Sequence, residues 1–440
     1  MPVPGSSPDP AAGSASGAPS RDPRVAVERA FRDERGRVLA SLIRALGDFD
    51  RAEEALGEAT LAAVETWPRD GVPESPAAWL HAVARRRAID RLRRERRRTG
   101  GDAALAALPD ERSDPIAAVD AALDLPVGDD RLRLIFTCCH PALARDAQVA
   151  LTLRTLGGLE TEEIARAFLV PVETLAQRLV RAKKKIREAR IPYRVPTAEM
   201  LPERLASVLA VIYLVFNEGY AASAGETYLR EELCEEAIRL ARLLAELLPA
   251  EPETEALAAL LLLQHSRRRA RVDADGSPVL LEEQDRALWD PAAIAEGRER
   301  LARARAAERS ASRAPGSHRL QAEIAAVHAA AARPEETDWP RIVLLHGALL
   351  EIHPSPVVAL SRAAALAMAE GPAAGLAEIG RVAAAAGGAL DGYRYLHSAR
   401  GELLRRLGRA EEARAAFERA LALTENAAER RHLERRIAEA

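Results

Sequence analysis

The stretch from Glu160 to Arg190 constrains the fold of this chain more than any other. Four apolar residues recur in it at intervals of four, three and four positions: Leu175, Leu179, Ala182 and Ile186. That spacing is typical of one buried stripe on an α-helix. Pro171 cannot continue an earlier helix but can open a new one. The stretch therefore predicts two short helices around a tight connection.

A polar face lies about 100° around the second of these helices. It combines hydroxyl, amide and cationic groups, supplied by Thr174, Gln177, Arg178, Arg181, Lys184 and Lys185. Cations suit phosphates, and Arg or Gln side chains suit base edges in a major groove. The pattern predicts a DNA-recognition helix. The alternative is a solvated basic helix within a bundle.

The charge of the chain is unevenly distributed although its net value is only -3. Residues 85–98 hold nine arginines against two acids, and residues 173–190 hold seven basic residues against two acids. Two separate basic segments indicate two contacts with a polyanion. Only 4% of residues are aromatic, and alanine, leucine, arginine and glutamate dominate. This composition predicts an all-α protein.

Three cysteines do not make a disulfide framework, and their number fits a reducing cytosol. No uninterrupted apolar run approaches the about 20 residues of a membrane span. Residues 1–24 lack the pattern of a signal peptide, and their Pro, Gly, Ser and Ala content predicts a disordered tail. We expect a cytoplasmic protein with no membrane partner.

Residues 25–98 predict four helices. The helix before Trp67 has a packing side made of Ala52, Ala55, Leu56, Ala59, Ala63 and Val64. Its outer side carries Glu53, Glu54 and Glu58; such an acidic face is usually just solvated, but it could equally dock on a basic partner. A loop is expected after Pro68. Ser75 then caps a long helix opened by Pro76.

The segments AEEALGEATLAAVETW and PESPAAWLHAVARRRAIDRLRRERRR resemble domain 2 of extracytoplasmic-function (ECF) sigma factors, the minimal bacterial transcription-initiation subunits. About 70 residues later, TEEIARAFLVPVETLAQRLVRAKKK resembles their domain 4. The resemblance covers residues 25–190 and implies domain 2 at 25–98, an acidic linker at 99–128 and domain 4 at 129–191. It implies core RNA polymerase and promoter DNA as partners.

The resemblance also implies roles for individual residues. The acidic helix would grip core polymerase through Asp50, Glu53, Glu54 and Glu58. The loop at 71–75 and the following helix would capture the −10 strand, with Ser75, Arg85, Arg86, Arg87, Arg91 and Arg94 at the DNA and Trp79 packed in the core. The −35 element would be contacted by Thr174, Gln177, Arg178, Arg181, Lys184 and Lys185.

Cys138, Cys139 and His140 invite a metal interpretation. Adjacent cysteines chelate one tetrahedral ion poorly, and no second pair lies at zinc-site spacing. We expect buried small residues beside a histidine at a helix end; a metal or redox sensor is the alternative. The sequence predicts no metal site and no cofactor.

The chain continues for 250 residues beyond Arg190 as helix after helix. Residues 395–426 resemble a tetratricopeptide (TPR) repeat, and residues 356–382 resemble a weaker copy. The predicted architecture is therefore all-α throughout: a domain 2 bundle, a helix-turn-helix domain 4, and a TPR-like α-solenoid at 197–440. We expect this extension to contact the sigma domains within the chain and to modulate their activity.

Polar residues in the extension leave two interpretations open. The segment 217–220, the segment 284–290 and the polar residues between His318 and His328 could serve as caps and inter-helix hydrogen bonds, which is the usual role of such groups. A ligand pocket built from them is the alternative. No phosphate loop, zinc-protease or nucleophile motif is present, so the sequence predicts no enzyme. The alternative function for the chain is a helix-turn-helix regulator with a TPR-like protein- or ligand-sensing domain.

Overall fold

The computed structural model describes residues 23–98, 128–168 and 170–440. These residues fall into two compact units, divided after Arg131. The predicted disordered tail, apart from its last two residues, and the predicted linker up to residue 127 lie outside the described residues. The all-α expectation is confirmed, since helices account for nearly all regular structure in the described part of the chain.

The first unit is a bundle in which three described helices pack on one another. They are α1 (Pro23–Leu46), α2 (Phe49–Asp70) and α3 (Pro76–Arg98). The prediction of four helices was wrong, because the described residues 23–98 form three helices. Helix α2 also continues past Pro68 and ends at Gly71, whose φ of 87° suits glycine. Trp67 is buried in this core.

The helix-turn-helix region begins the second unit. Its helices are α4 (Gly128–Cys138), α5 (Arg145–Thr155), α6 (Thr161–Ala167) and α7 (Val172–Glu188). All four residues of the predicted stripe on α7 are buried, as its spacing required. Helix α7 packs on α5 and α6. The periodicity therefore fixed which side of α7 faces the core.

The extension follows as a series of helical hairpins. Its helices are α8 (Leu201–Tyr220), α9 (Glu231–Leu247), α10 (Pro252–His265), α11 (Pro291–Ser310), α12 (Ser317–Ala330), α13 (Trp339–Ile352), α14 (Pro356–Glu370), α15 (Pro372–Ala385), α16 (Arg394–Arg406), α17 (Ala410–Ala422) and α18 (Ala427–Glu439). Most of them pack mainly on their neighbours in sequence, which is how a solenoid buries apolar faces, while α12 packs mainly on α10. Gly401 fits this packing, because an added Cβ would lie 2.8 Å from the Phe417 ring.

The two ends of the extension meet. Two-residue strands β1 (Ala224–Gly225) and β2 (Glu425–Asn426) pair in parallel. The Asn426 side-chain amide donates to the Thr227 carbonyl at 2.8 Å. Two ion pairs join α18 to the segment after α10: Arg435 with Asp273 at 2.9 Å, and Arg436 with Glu283 at 2.6 Å. The hairpins therefore close on themselves, which the sequence did not indicate.

The first helices of the extension also contact the helix-turn-helix region. Helix α8 packs on α5. Arg204 of α8 donates to the Phe136 carbonyl, and Arg239 of α9 donates to the Leu156 carbonyl. Gly157 lies so close to α9 that an added Cβ would be 3.0 Å from the Glu236 carboxylate. These bonds are made to backbone atoms at the ends of α4 and α5, away from the buried stripe of α7.

Candidate nucleic-acid interface

The polar face of α7 is open to solvent. Thr174, Gln177, Arg181, Lys184 and Lys185 are exposed, and Arg178 is half-buried. The four buried apolar residues on the opposite side fix the rotation of the helix, so its polar residues point away from α5 and α6. The structure thus brings together the six residues predicted to meet duplex DNA.

Three of these cations have partners within the protein. Arg178 lies 3.6 Å from the carboxylate of Asp146 on α5, and that carboxylate is 73% exposed. Arg181 donates to the side-chain oxygen of Gln177 at 3.1 Å, one turn away. Lys184 lies 3.6 Å from Glu188. Exposed pairs of this kind contribute little, so a phosphate or base edge can replace the partner at low cost.

The turn before α7 is set by backbone hydrogen bonds and one carboxylate. Glu163 accepts from the Glu160 amide at 2.7 Å, which satisfies a donor at the start of α6. The Val170 amide donates to the Ala165 carbonyl at 3.0 Å, closing the end of α6. Pro171 then stands at the N-cap position of α7. This short connection holds α7 against α6 at a fixed angle.

A cavity of about 270 Å³ lies beside Arg178. Its walls come from α5, α6, α7 and the extension helix α8, which contributes Leu214 and Glu218. Leu214 is 42% exposed. The N-terminal half of the candidate recognition helix therefore borders the same cavity as the extension.

At the start of α3 the Ser75 cap agrees with the sequence prediction, whereas the expectation that Trp79 packs in the core was wrong. Ser75 accepts from the Ala78 amide at 3.4 Å, the geometry of a weak N-cap. Trp79 is half-buried and meets the edge of the Trp67 ring at a centroid distance of 5.5 Å. Trp79 therefore packs at the edge of the bundle, whereas Trp67 is buried in its core.

The arginines of α3 divide into two groups. Arg86 and Arg94 are exposed, and among the described residues Arg94 donates to the Asp90 carbonyl of its own helix. Arg91 instead bridges to α2, with an ion pair to Glu54 and a bond of 3.1 Å to Glu58. The other predicted −10 residues, Arg85 and Arg87, lie on the same helix, with Arg87 3.9 Å from Glu58. One predicted DNA residue thus binds two residues that were predicted to meet polymerase.

The outer face of α2 holds apolar residues among its acids. Asp50 and Glu54 are exposed, and Glu53 and Glu58 are partly buried. Leu61 is 65% exposed and Val64 is 49% exposed on this helix. Placing Val64 on the packing side was wrong, because one position beyond buried Ala63 turns a side chain about 100° away from the stripe. Leu61 was missed, although its position three residues after Glu58 places it on the acidic side.

The two adjacent cysteines are buried structural residues. Cys138 contacts the Thr155 hydroxyl at 3.2 Å, and Cys139 contacts the Thr152 hydroxyl at 3.5 Å. Burial raises the pKa of the Cys139 thiol to about 11, which keeps it protonated and unreactive. The described residues contain no group of three or more His, Cys, Asp or Glu side chains that could hold a metal ion.

Comparison with known families accounts for four segments of the chain. The sigma-70 region 2 family matches residues 30–98, and the sigma-70 region 4 family matches residues 133–186. A family of unknown function (DUF6596) matches residues 204–305, and the tetratricopeptide repeat family matches residues 394–427. ECF RNA polymerase sigma factor SigK of Mycobacterium tuberculosis is 31% identical over 35% of this chain and 79% of its own length. The chain belongs to the ECF sigma factor family.

Two further proteins are similar to this chain in sequence. SigK of Mycobacterium ulcerans is 31% identical over 34% of this chain and 78% of its own length. The uncharacterized protein R00370 of Rhizobium meliloti is 48% identical over 92% of this chain and 93% of its own length, so it shares the extension. No solved structure matches the chain.

The family assignment decides between the two functions that the sequence left open. A regulator with a lone helix-turn-helix leaves the bundle of α1–α3 unexplained, whereas a sigma factor requires region 2 there. Sigma factors are not enzymes. The prediction of a TPR-like repeat near residue 395 is confirmed. None of the described helices combines the length and apolar character that a membrane span requires.

Proposed function

We propose that this sigma factor binds core RNA polymerase and directs it to promoters that carry −35 and −10 elements. The exposed polar face of α7 carries the proposal. It offers Thr174, Gln177, Arg181, Lys184 and Lys185 on a helix whose other side is locked into the protein. A rigid helix with exposed cations and amides suits a major groove.

The −10 contact is assigned to the first bundle. Exposed Arg86 and Arg94 can track one strand electrostatically, while the loop from Gly71 to Ser75 lies at the start of the same helix. Arg91 has a second role in this proposal: it ties α3 to α2 through Glu54 and Glu58. Polymerase would bind the outer face of α2, where Asp50 lies among exposed Leu61 and Val64.

A reconstituted run-off assay tests the core of the proposal. Purified sigma factor and core polymerase are mixed with a library of genomic promoter fragments, and initiation sites are mapped. We expect transcripts only when both proteins are present, with start sites that share two sequence elements upstream. Initiation at the same sites without the sigma factor, or no initiation on any fragment, would contradict the proposal.

The extension is proposed to modulate initiation through its contacts with the helix-turn-helix region. Arg239 donates to the backbone at Leu156, and α8 borders the cavity beside Arg178. A shift of α8 would change the cavity beside Arg178, and a shift of α9 would move the end of α5, on which α7 packs. The extension would then act as an intramolecular partner of region 4.

Two matched variants test that modulation. Arg239→Ala removes a bond to region 4, while Arg242→Ala on the same helix removes an ion pair with Glu296 inside the extension. We expect Arg239→Ala to change run-off activity and Arg242→Ala to leave it near the wild-type level. Equal activity of both variants and wild type would contradict a modulatory contact at this place.

A further inference from the structure

Among the described residues, two arginines that follow α10 have no acidic partner. Arg271 is only 6% exposed. It donates to the Tyr220 carbonyl and, at 3.3 Å, to the Tyr228 hydroxyl. In the described part of the chain no carboxylate lies within ion-pair distance of it. A buried guanidinium without a counter-charge is costly, so its presence calls for an explanation.

Arg267 repeats the pattern one turn earlier. It donates to the Tyr220 hydroxyl and to the Gln264 side-chain oxygen, both neutral acceptors. Burial and the neighbouring charge of Arg271 both lower the pKa of Arg267. Part of the Arg267 side chain remains accessible to solvent. Both guanidinium groups contact Tyr220, so two positive charges lie close together and each makes the other less favourable.

The residues between them behave differently. Arg268 forms ion pairs with Asp290 at 3.1 Å and with Glu231 at 3.8 Å. Arg269 is exposed. Within this short segment, one arginine therefore has acidic partners and another is exposed to solvent. Arg267 and Arg271 differ from both, because their hydrogen-bond partners in the described chain are neutral groups.

Aromatic and polar groups complete this inner surface. The Arg271 guanidinium lies 3.3 Å from the Tyr220 ring centroid, and the Arg267 guanidinium lies 5.6 Å from the Trp289 ring centroid. Such stacking orients the planar guanidinium groups and leaves their edges available for hydrogen bonds. Tyr228 lies at the seam where β1 meets β2, since Asn426 binds the preceding carbonyl at Thr227.

We propose that Arg267 and Arg271, with Tyr220 and Tyr228 beside them, form a binding site for the phosphate group of a small molecule inside the closed extension. A phosphate carries nearly two negative charges and three acceptor oxygens, which match two guanidinium groups. A single carboxylate would neutralise only one of them. The site is independent of DNA recognition, because it lies in the extension alone.

Binding of inorganic phosphate tests the assignment. Full-length protein in a phosphate-free buffer is titrated with sodium phosphate in a calorimeter and in a thermal-shift assay, at constant ionic strength. We expect saturable binding and a rise in melting temperature. Arg271→Gln and Arg267→Gln should each weaken binding by about tenfold or more, because each loses charge-assisted bonds. Arg269→Gln is the matched control and should bind as the wild type does.

Each other result would overturn the proposal. Absence of saturable phosphate binding by the wild type, or equal loss in Arg269→Gln and Arg271→Gln, would show that no site exists here. Equal binding of sodium acetate would show that the site takes carboxylates instead. Circular dichroism checks the fold of each variant. If Arg271→Gln does not fold, phosphate binding by Arg267→Gln decides the test, because the Arg267 side chain is only half-buried.

Discussion

The cationic helices α3 and α7 carry similar charge but use it differently. On α3, Arg91 bridges to Glu54 and Glu58 of the neighbouring helix. On α7, the pairs of Arg181 and Lys184 are made along the helix itself, and their side chains remain exposed. The acidic side of α2 makes the difference, because the pair that joins α7 to a neighbouring helix is weaker: Arg178 lies 3.6 Å from Asp146 of α5, whose carboxylate is 73% exposed.

The contrast shows why a count of basic residues does not measure a DNA surface. An exposed cation releases counterions from DNA when it binds phosphate. A cation already held by two carboxylates must lose them first, so its exchange for phosphate is close to neutral. The nine arginines of residues 85–98 therefore overstate the positive charge that α3 offers.

The largest expected effect is on α7. Arg181→Ala should lower transcription from a promoter with a −35 element by roughly 5- to 150-fold, since one base contact is worth about 1–3 kcal/mol. Stability should not change, because the side chain is exposed. Run-off transcription and thermal melting measure the two quantities.

The control for Arg181 is Arg187→Ala. Arg187 is exposed on the same helix but lies about 120° away around it. It should retain most activity. Similar loss in both variants would mean that α7 contributes only general electrostatic attraction, and the contrast between the helices would then rest on charge alone.

An intermediate effect is expected on the stability of the first bundle. Arg91→Gln removes the bridge from α3 to α2, and a partly exposed pair contributes about 1 kcal/mol. Hydrogen exchange of amides in α2 and α3 should become about fivefold faster in the full-length protein. Arg94→Gln, which removes a bond within α3 only, should leave exchange nearly unchanged. Equal rates in both variants would show that the bridge does not hold the helices.

The smallest effect should appear in the salt dependence of promoter binding. Lys184→Gln should reduce the slope of log affinity against log salt by about 1, the value for one phosphate contact. Arg91→Gln should leave that slope unchanged, because its charge is already neutralised. Filter binding of the polymerase–sigma complex across a salt series measures both. A reduced slope for Arg91→Gln would show that Arg91 does contact a phosphate of the −10 element.

Much of the candidate interface could be predicted from the sequence because helical periodicity is a local property. The stripe at Leu175 and Ile186 needs only a period of 3.6 residues, and its polar face follows by rotation. Ser75 as a cap is equally local. The ion pairs of Arg91 were not predicted, because they depend on how α2 and α3 pack, which periodicity does not specify.

The closure of the extension and its inner arginines also escaped prediction. The two paired strands are two residues long and carry no strand pattern. Arg267 and Arg271 stand in a run of basic residues that looks like an ordinary polar helix end. Only the fold separates them from Arg268, which has acidic partners. Whether a charged side chain is buried depends on tertiary packing, so it cannot be read from neighbouring residues in the sequence.

The pairing of β1 with β2 also determines the order in which parts of the protein can fold during synthesis. Asn426 comes 199 residues after its partner Thr227, which corresponds to roughly 10–40 s of translation. Helices α1–α7 leave the ribosome well before that seam can form. Helix α7, the proposed recognition helix, is therefore complete while the extension is still open, and each newly made molecule passes through a period in which the extension has yet to close.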